Sequence, residues 1–304
     1  MGKTTEGYST RRICFVKSVT IIGSNGQLGT DLVKTFEASD WTVVQLNHKE
    51  IKIEDLDSVN SALSKNKTDW IINTAAFHKV NECEENSEKA WSVNCTGALN
   101  VAMVAERTNS KVLYISSDYV FSGRLPVGFG YDEDHPFSPI NVYGHSKVGG
   151  EIATLSTNNR NLVVRIASVF GAAGSSGKGG NFIETILAKA KKQEALQVVN
   201  DIHMSPTYTV DASKIILSAL EADLFGRIHA TNLGRATWFE FAQEALNLVG
   251  IKGALNELNS NPELFPKKPA NSVLISRKSE EIHCEQIEWQ DGLKRYLIEK
   301  GYIS

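Results

Sequence analysis

Residues 18–29 read SVTIIGSNGQLG, five residues of strand-forming character followed by a turn holding Gly23, Gly26 and Gly29. The next segment, TDLVKTFEA, spaces its apolar residues as one face of a helix, and WTVVQL (41–46) returns to strand texture. Strand, glycine turn, helix and strand in that order make a β-α-β unit. Glycines at the mouth of the helix let backbone amides approach an anion, and the helix N-terminus adds its partial positive charge, so GxxGxxG here points to a dinucleotide pyrophosphate.

The alternation continues. A helix is expected near 56–63, a strand over DWIINTAA, a long helix over 84–106 and a strand over KVLYISS. A helix over 143–155 and a strand over NLVVRIASVF (161–170) follow. This pattern predicts an α/β fold, a Rossmann-type doubly wound parallel sheet with helices on both faces. After Phe170 the texture changes to the glycine- and serine-rich run GAAGSSGKGG, the most flexible interior segment by composition. Beyond it come helices over 182–192, 211–224, 238–249 and 289–300, short strands near 196–200 and 227–232, and the loop DIHMSPTYT. The domain reading is a flexible leader at 1–17, a dinucleotide-binding domain at 18–165, and a smaller interleaved α/β lobe at 166–304 that holds substrate over the sheet's carboxyl edge.

Composition narrows the function. A net charge of -3, with no basic stripe, argues against nucleic acid. The four cysteines are scattered with no CxxC spacing, which suits a reducing, cytoplasmic compartment. No apolar run reaches membrane-spanning length. The seven histidines form no HxxxH or carboxylate cluster, and there is no GxSxG elbow, so neither a metal site nor a hydrolase is expected.

The remaining chemistry lies in NVYGHSK (141–147). Tyr143 and Lys147 are four residues apart and share a helix face. The strand ending in Ser116-Ser117 puts a hydroxyl at the same sheet edge. Tyr143 can then donate a proton to a carbonyl oxygen that Ser117 also holds, while Lys147 lowers the tyrosine's pKa and holds the nicotinamide ribose. At the end of the second strand stand Asn47, His48 and Lys49 rather than an acid, which favours NADPH, with NADH the other candidate. His203, in the DIHMSPTYT loop, is a candidate substrate contact.

Taken in order, GSNGQLG, INTAAFHKVNECE, VNCTGALNVA, YISSDYVFSG, YDEDHPFSPINVYGHSKVGGE, GGNF, DIHMSPTYTVD, ATWFEFA and KPANSVL resemble the blocks of the dTDP-4-dehydrorhamnose reductases, in the extended short-chain dehydrogenase/reductase group. The resemblance implies NAD(P)H-dependent reduction of the C4 ketone of a nucleotide-linked 6-deoxy-4-keto sugar, with Ser117, Tyr143 and Lys147 as its catalytic set. It further implies that Gly26, Gln27 and Leu28, between Gly23 and Gly29, touch the pyrophosphate and that Thr74, Ala75 and Ala76 touch the adenosine side. Asp118 and Asn181 would meet the sugar, and Lys268 the nucleotide phosphates.

Three positions depart from the pattern. Arg165-Ile166-Ala167-Ser168 lacks the tryptophan of RTSW, Lys52 replaces an acid after the second strand, and Lys267-Lys268 replaces an arginine. Magnesium accompanies some members of the family, and no carboxylate cluster demands it here. Pairing of two copies through the helices at 84–106 and 143–155 is implied by analogy with extended reductases. The alternatives are a reductase or epimerase of another nucleotide sugar, or a non-catalytic dinucleotide-binding subunit similar to the β subunit of methionine adenosyltransferase.

Overall fold

The computed structural model describes residues 16–174, 180–252, 255–261, 263 and 265–304. The leader up to residue 15 and positions 175–179 of the glycine- and serine-rich run lie outside the described residues.

The chain opens with β1 (Ser18–Ile22), α1 (Gln27–Glu37), β2 (Thr42–Leu46), α2 (Leu56–Lys65) and β3 (Trp70–Asn73). Helices α3 (Val80–Glu85) and α4 (Ser87–Trp91), a π-helical segment (Ser92–Thr96) and α5 (Gly97–Thr108) lead to β4 (Lys111–Ser117) and a 3-10 turn (Asp118–Val120). Next come α6 (Val142–Thr157), β5 (Leu162–Ile166), β6 (Val169–Phe170), α7 (Phe182–Lys191), β7 (Leu196–Val199), β8 (His203–Met204) and β9 (Thr207–Tyr208). The remainder is α8 (Thr209–Glu221), β10 (Gly226–His229), β11 (Ala236–Thr237), α9 (Trp238–Val249), β12 (Leu255–Leu258), α10 (Ser279–Ile282) and α11 (Trp289–Glu299).

Six strands form one parallel sheet in the order β10-β5-β4-β3-β1-β2. Its strands read as unbroken apolar runs because both faces are covered. Val19 and Ile21, Trp70 and Ile72, and Leu113 and Ile115 face α1 and α8, whereas Ile22, Ile71 and Val112 face α2 and α5. A second core gathers α7, α9 and α11 around Phe170, Tyr208, Phe241 and Tyr296. The edge strand β10 and the covering helix α8 come from the C-terminal half, so that half supplies part of the first sheet. No described helix is long and apolar enough to cross a membrane.

Three sequence expectations are corrected. The helix expected over 84–106 is broken at Asn86 and widened into a π segment at Ser92–Thr96. The widening has a long-range cause: Asn94 turns inward, accepting from the Phe77 N–H (2.8 Å) and donating to the Phe77 carbonyl (2.9 Å) and to Ser146 Oγ (2.9 Å). The strand expected over 161–170 stops at Ile166 and resumes at Val169, because Ser168 takes a left-handed conformation (φ 42°) that no sheet accommodates. The segment expected as a loop over 201–209 carries the short strands β8 and β9.

Candidate active site

Parallel strands end on one edge, and the order reverses between β1 and β3, where doubly wound sheets leave a crevice. Residues at or just after the ends of five of the six strands line a cavity of about 940 Å³ at this place: Gly23, Asn47, Thr74, Ser117 and Ile166. The glycine turn forms one end. Gly23 has φ 80°, and a Cβ on Gly29 would stand 2.1 Å from the Gly23 carbonyl oxygen, so strand and helix approach this closely only without side chains. Helix α1 begins at this turn with Gly26 as N-cap and no side-chain cap, leaving its first amides directed to the cavity. Gln27 Nε2 donates to the Val169 carbonyl (2.9 Å), while its buried Oε1 has no partner among the described residues. An uncapped helix N-terminus and an unsatisfied acceptor fit the phosphates and ribose hydroxyls of a dinucleotide.

Helix α6 supplies the other wall. Asn141 caps it by accepting from the Gly144 amide (2.8 Å), and Glu84 accepts from the Val142 amide (2.8 Å). Gly144 lets the first turn press on the turn after β4, since a Cβ there would lie 2.2 Å from the Tyr119 carbonyl oxygen. Tyr143 is thereby set beside Ser117, with its ring packed edge-on against Tyr119 at 5.7 Å. One turn on, Lys147 is buried, donates to the Ile115 carbonyl (2.6 Å) and stands 4.1 Å over the Tyr114 ring. Ser117 donates to Asp118 Oδ1 (2.9 Å) and accepts from the Tyr119 amide (3.2 Å).

Burial dominates the electrostatics. It drives the Tyr143 hydroxyl well above its ordinary pKa, with a small opposing effect of Ser117. It pulls the Lys147 ammonium down to about 7, against an upward pull from Glu151 and Cys83. It lifts the Asp118 carboxyl to about 6, offset in part by hydrogen bonds from Ser272 and Ser117. Burial outweighs the lowering of Tyr143 expected from Lys147: the lysine's hydrogen bond goes to Ile115, and the tyrosine is held neutral. A neutral phenol is the form that can give a proton.

The structure brings together most of the residues singled out from sequence. Gly23, Gly26, Gln27, Leu28, Gly29, Asn47, Thr74, Ala75, Ala76, Ser117, Asp118, Tyr143, Lys147 and Asn181 all line the one cavity. Asn181 does so mainly as the N-cap of α7, its side chain bonded to the Glu184 amide and to Tyr296. His203 and Lys268 are outside its lining: His203 is held in backbone pairing with Ala270 and Ser272, and Lys268 is exposed. Their neighbours Ile202, Met204, Pro269 and Ser272 take the wall positions instead. At the end of β2, Glu50 folds back to accept from the Asn47 amide (2.8 Å), so a carboxylate does reach the strand end from three residues on. His48 lines the cavity, and Lys49 does not. Sequence reasoning also missed Tyr119, Phe182 and Trp238. The last two pack edge-on at 4.8 Å, and the ATWFEFA block was the available signal for Trp238.

The RmlD substrate binding domain family matches residues 17–301. The chain is 34% identical to the spore coat polysaccharide biosynthesis protein SpsK of Bacillus subtilis, over 93% of this chain and 98% of that protein. It is 31% identical to a dTDP-4-dehydrorhamnose reductase of Aggregatibacter actinomycetemcomitans, over 90% of this chain and 96% of that one. The dTDP-4-dehydrorhamnose reductase of Bacillus anthracis, solved in complex with NADP, superposes with a TM-score of 0.87 at 31% identity, covering 94% of this chain and all of that one (100%). The family match over nearly the whole described chain, together with relatives of this identity and coverage, shows that the chain belongs to the dTDP-4-dehydrorhamnose reductase family.

Proposed function

We propose that this chain is an NAD(P)H-dependent oxidoreductase that reduces the C4 ketone of dTDP-4-dehydro-L-rhamnose to give dTDP-L-rhamnose. The observation that carries the reading is the meeting of Ser117, Tyr143 and Lys147 on the wall of the same cavity into which the uncapped N-terminus of α1 opens. The nicotinamide, when bound, supplies a hydride to the carbonyl carbon. Gln27 and the first amides of α1 would hold the pyrophosphate and a ribose, and Thr74 to Ala76 the adenosine side.

The proton comes from the chain. As negative charge develops on the C4 oxygen, Ser117 and Tyr143 hydrogen-bond it, and Tyr143 transfers its proton. The charge of Lys147 then stabilises the tyrosinate left behind until solvent restores the proton. Asp118, ionised above about pH 6, accepts a hydroxyl of the sugar and turns it toward this wall. Phe182 and Trp238 cover the opposite side and exclude water. NADPH is favoured as reductant because His48 lines the cavity at the end of β2, while Glu50 is occupied by the Asn47 amide.

The test is oxidation of NADPH and of NADH with dTDP-4-dehydro-L-rhamnose, comparing the parent with Tyr143→Phe. Turnover in the parent, reduced about 10²- to 10⁴-fold by the substitution with cofactor affinity retained, is expected. Turnover undiminished by Tyr143→Phe would sink the assigned acid. Cofactor binding without turnover would turn the reading to another nucleotide sugar or to a non-catalytic subunit.

A further inference from the structure

Helix α6 carries a third group on the face that holds Tyr143 and Lys147. Glu151 lies one turn beyond Lys147, and its side chain is wholly buried. Its carboxylate is saturated: Oε1 accepts from Ser116 Oγ (2.6 Å) and Arg165 Nε (2.9 Å), and Oε2 from Arg165 Nη2 (2.9 Å) and Arg227 Nε (3.1 Å). Three consecutive residues at the end of β4 are thus tied to three turns of α6. Lys147 holds the carbonyl of Ile115, Glu151 holds the hydroxyl of Ser116, and Tyr143 lies beside Ser117. The register of β4 against α6 therefore sets where Ser117 and Tyr143 meet.

We propose that Glu151 is a positioning residue for the reaction, fixing the end of β4 through Ser116 and supplying the buried negative charge that keeps Lys147 cationic beside Tyr143. The proposal rests on the reductase reading of this site and adds to it a residue outside the reacting atoms. Other titratable and charged groups face this part of α6. They are Cys83 and Glu84 from α3, Cys95 from the π segment, Tyr114 from β4, Asp118 and Tyr119 from the turn after it, Arg165 from β5, and Arg227 and His229 from β10. Of these groups and Glu151, Glu151 and Cys83 favour the charged lysine, and the thiol, pushed up to about 11 by its own burial, is neutral at lower pH. Glu151 is left as the anion that opposes the desolvation of Lys147. Because Arg165 and Arg227 share its carboxylate, taking either arginine away strengthens its pull on the lysine, and taking Glu151 away leaves Arg165 as an uncompensated cation in the interior.

The experiment follows the Lys147 side-chain carbon signal by NMR in full-length protein labelled at lysine, assigned by its loss in Lys147→Arg, as pH is raised. The expected titration midpoint moves down by about one unit or more in Glu151→Gln and up by a smaller amount in Arg227→Gln, whose side chain is part exposed. The alkaline fall of kcat is expected to move with it in each variant. Should Glu151→Gln not fold, Arg227→Gln decides alone. Midpoints unchanged from the parent overturn the proposal, as does a fall in kcat without any movement of the pH profile. The titration needs no sugar, so its outcome stands apart from failure of the reductase reading.

Discussion

The two sides of the cavity are made differently. The side proposed to handle the cofactor and the proton comes from strand ends and the helices beside them: Gly23 to Gly29, Thr74 to Ala76, Ser116 to Asp118, and Tyr143 to Lys147. The opposite side is assembled from Asn181 and Phe182, Ile202 and Met204, Trp238, and Pro269 with Ser272, segments spread over roughly ninety positions and joined by tertiary packing and by the backbone pairing of His203 with Ala270 and Ser272. The first side is fixed by backbone geometry and buried hydrogen bonds. The second is fixed by short long-range backbone pairings and by the contact of side chains, and changes there are expected to alter which sugar fits while leaving proton transfer in place.

That contrast can be broken at its strongest point first. Gly29→Ala drives a Cβ to 2.1 Å from the Gly23 carbonyl oxygen, and neither backbone can yield cheaply. Overpacking of about 1–3 kcal/mol is expected, seen in urea unfolding, with cofactor affinity lower by about tenfold or more. Affinity equal to the parent's would mean that the glycine turn is not part of the cofactor site.

A change on the opposite side acts otherwise. Trp238→Ala removes the ring that packs on Phe182, and a KM for the sugar raised about tenfold with kcat nearly unchanged is the expected result. A collapse of kcat at constant KM would place Trp238 with the reacting atoms and erase the distinction between the sides.

Within the first side, the pH profile separates the sugar contact from proton transfer more gently. The Asp118 carboxyl, raised to about 6, is the acceptor for a sugar hydroxyl only when ionised, so KM is expected to rise as pH falls below about 6. Lys147, lowered to about 7, helps only when protonated, so kcat is expected to fall as pH rises through about 7. Asp118→Asn removes the acidic change and leaves the alkaline one. A single limb carried by both parameters would contradict this assignment.

The same contrast explains what the sequence disclosed. Apolar runs and glycine turns report backbone, so β1, α1, β4 and α6 were legible, and with them the residues at their ends. The break at Asn86 and the widening at Ser92–Thr96 were not, because the helical period continues through a segment whose departure is caused by Asn94 bonding to Phe77, far behind it in the loop after β3. Lys268 was singled out by resemblance and His203 by its place in the DIHMSPTYT loop, and each stands next to a residue that takes a wall position. Near β8 that choice is made by pairing with Ala270, Asn271 and Ser272, a long-range register that no local pattern encodes. Glu50 was overlooked since the carboxylate reaches the end of β2 by folding back rather than by its place in line. The tie between Glu151 and Ser116 joins a helix and a strand 35 positions apart and is equally silent in sequence.

The most direct test of the central claim traces the hydride. The protein is given dTDP-4-dehydro-L-rhamnose with reduced nicotinamide carrying deuterium at its transferable position, and the product is read by NMR. The account predicts dTDP-L-rhamnose with deuterium at C4 and at no other carbon. Deuterium elsewhere on the sugar, or none transferred while the cofactor is bound, would contradict it.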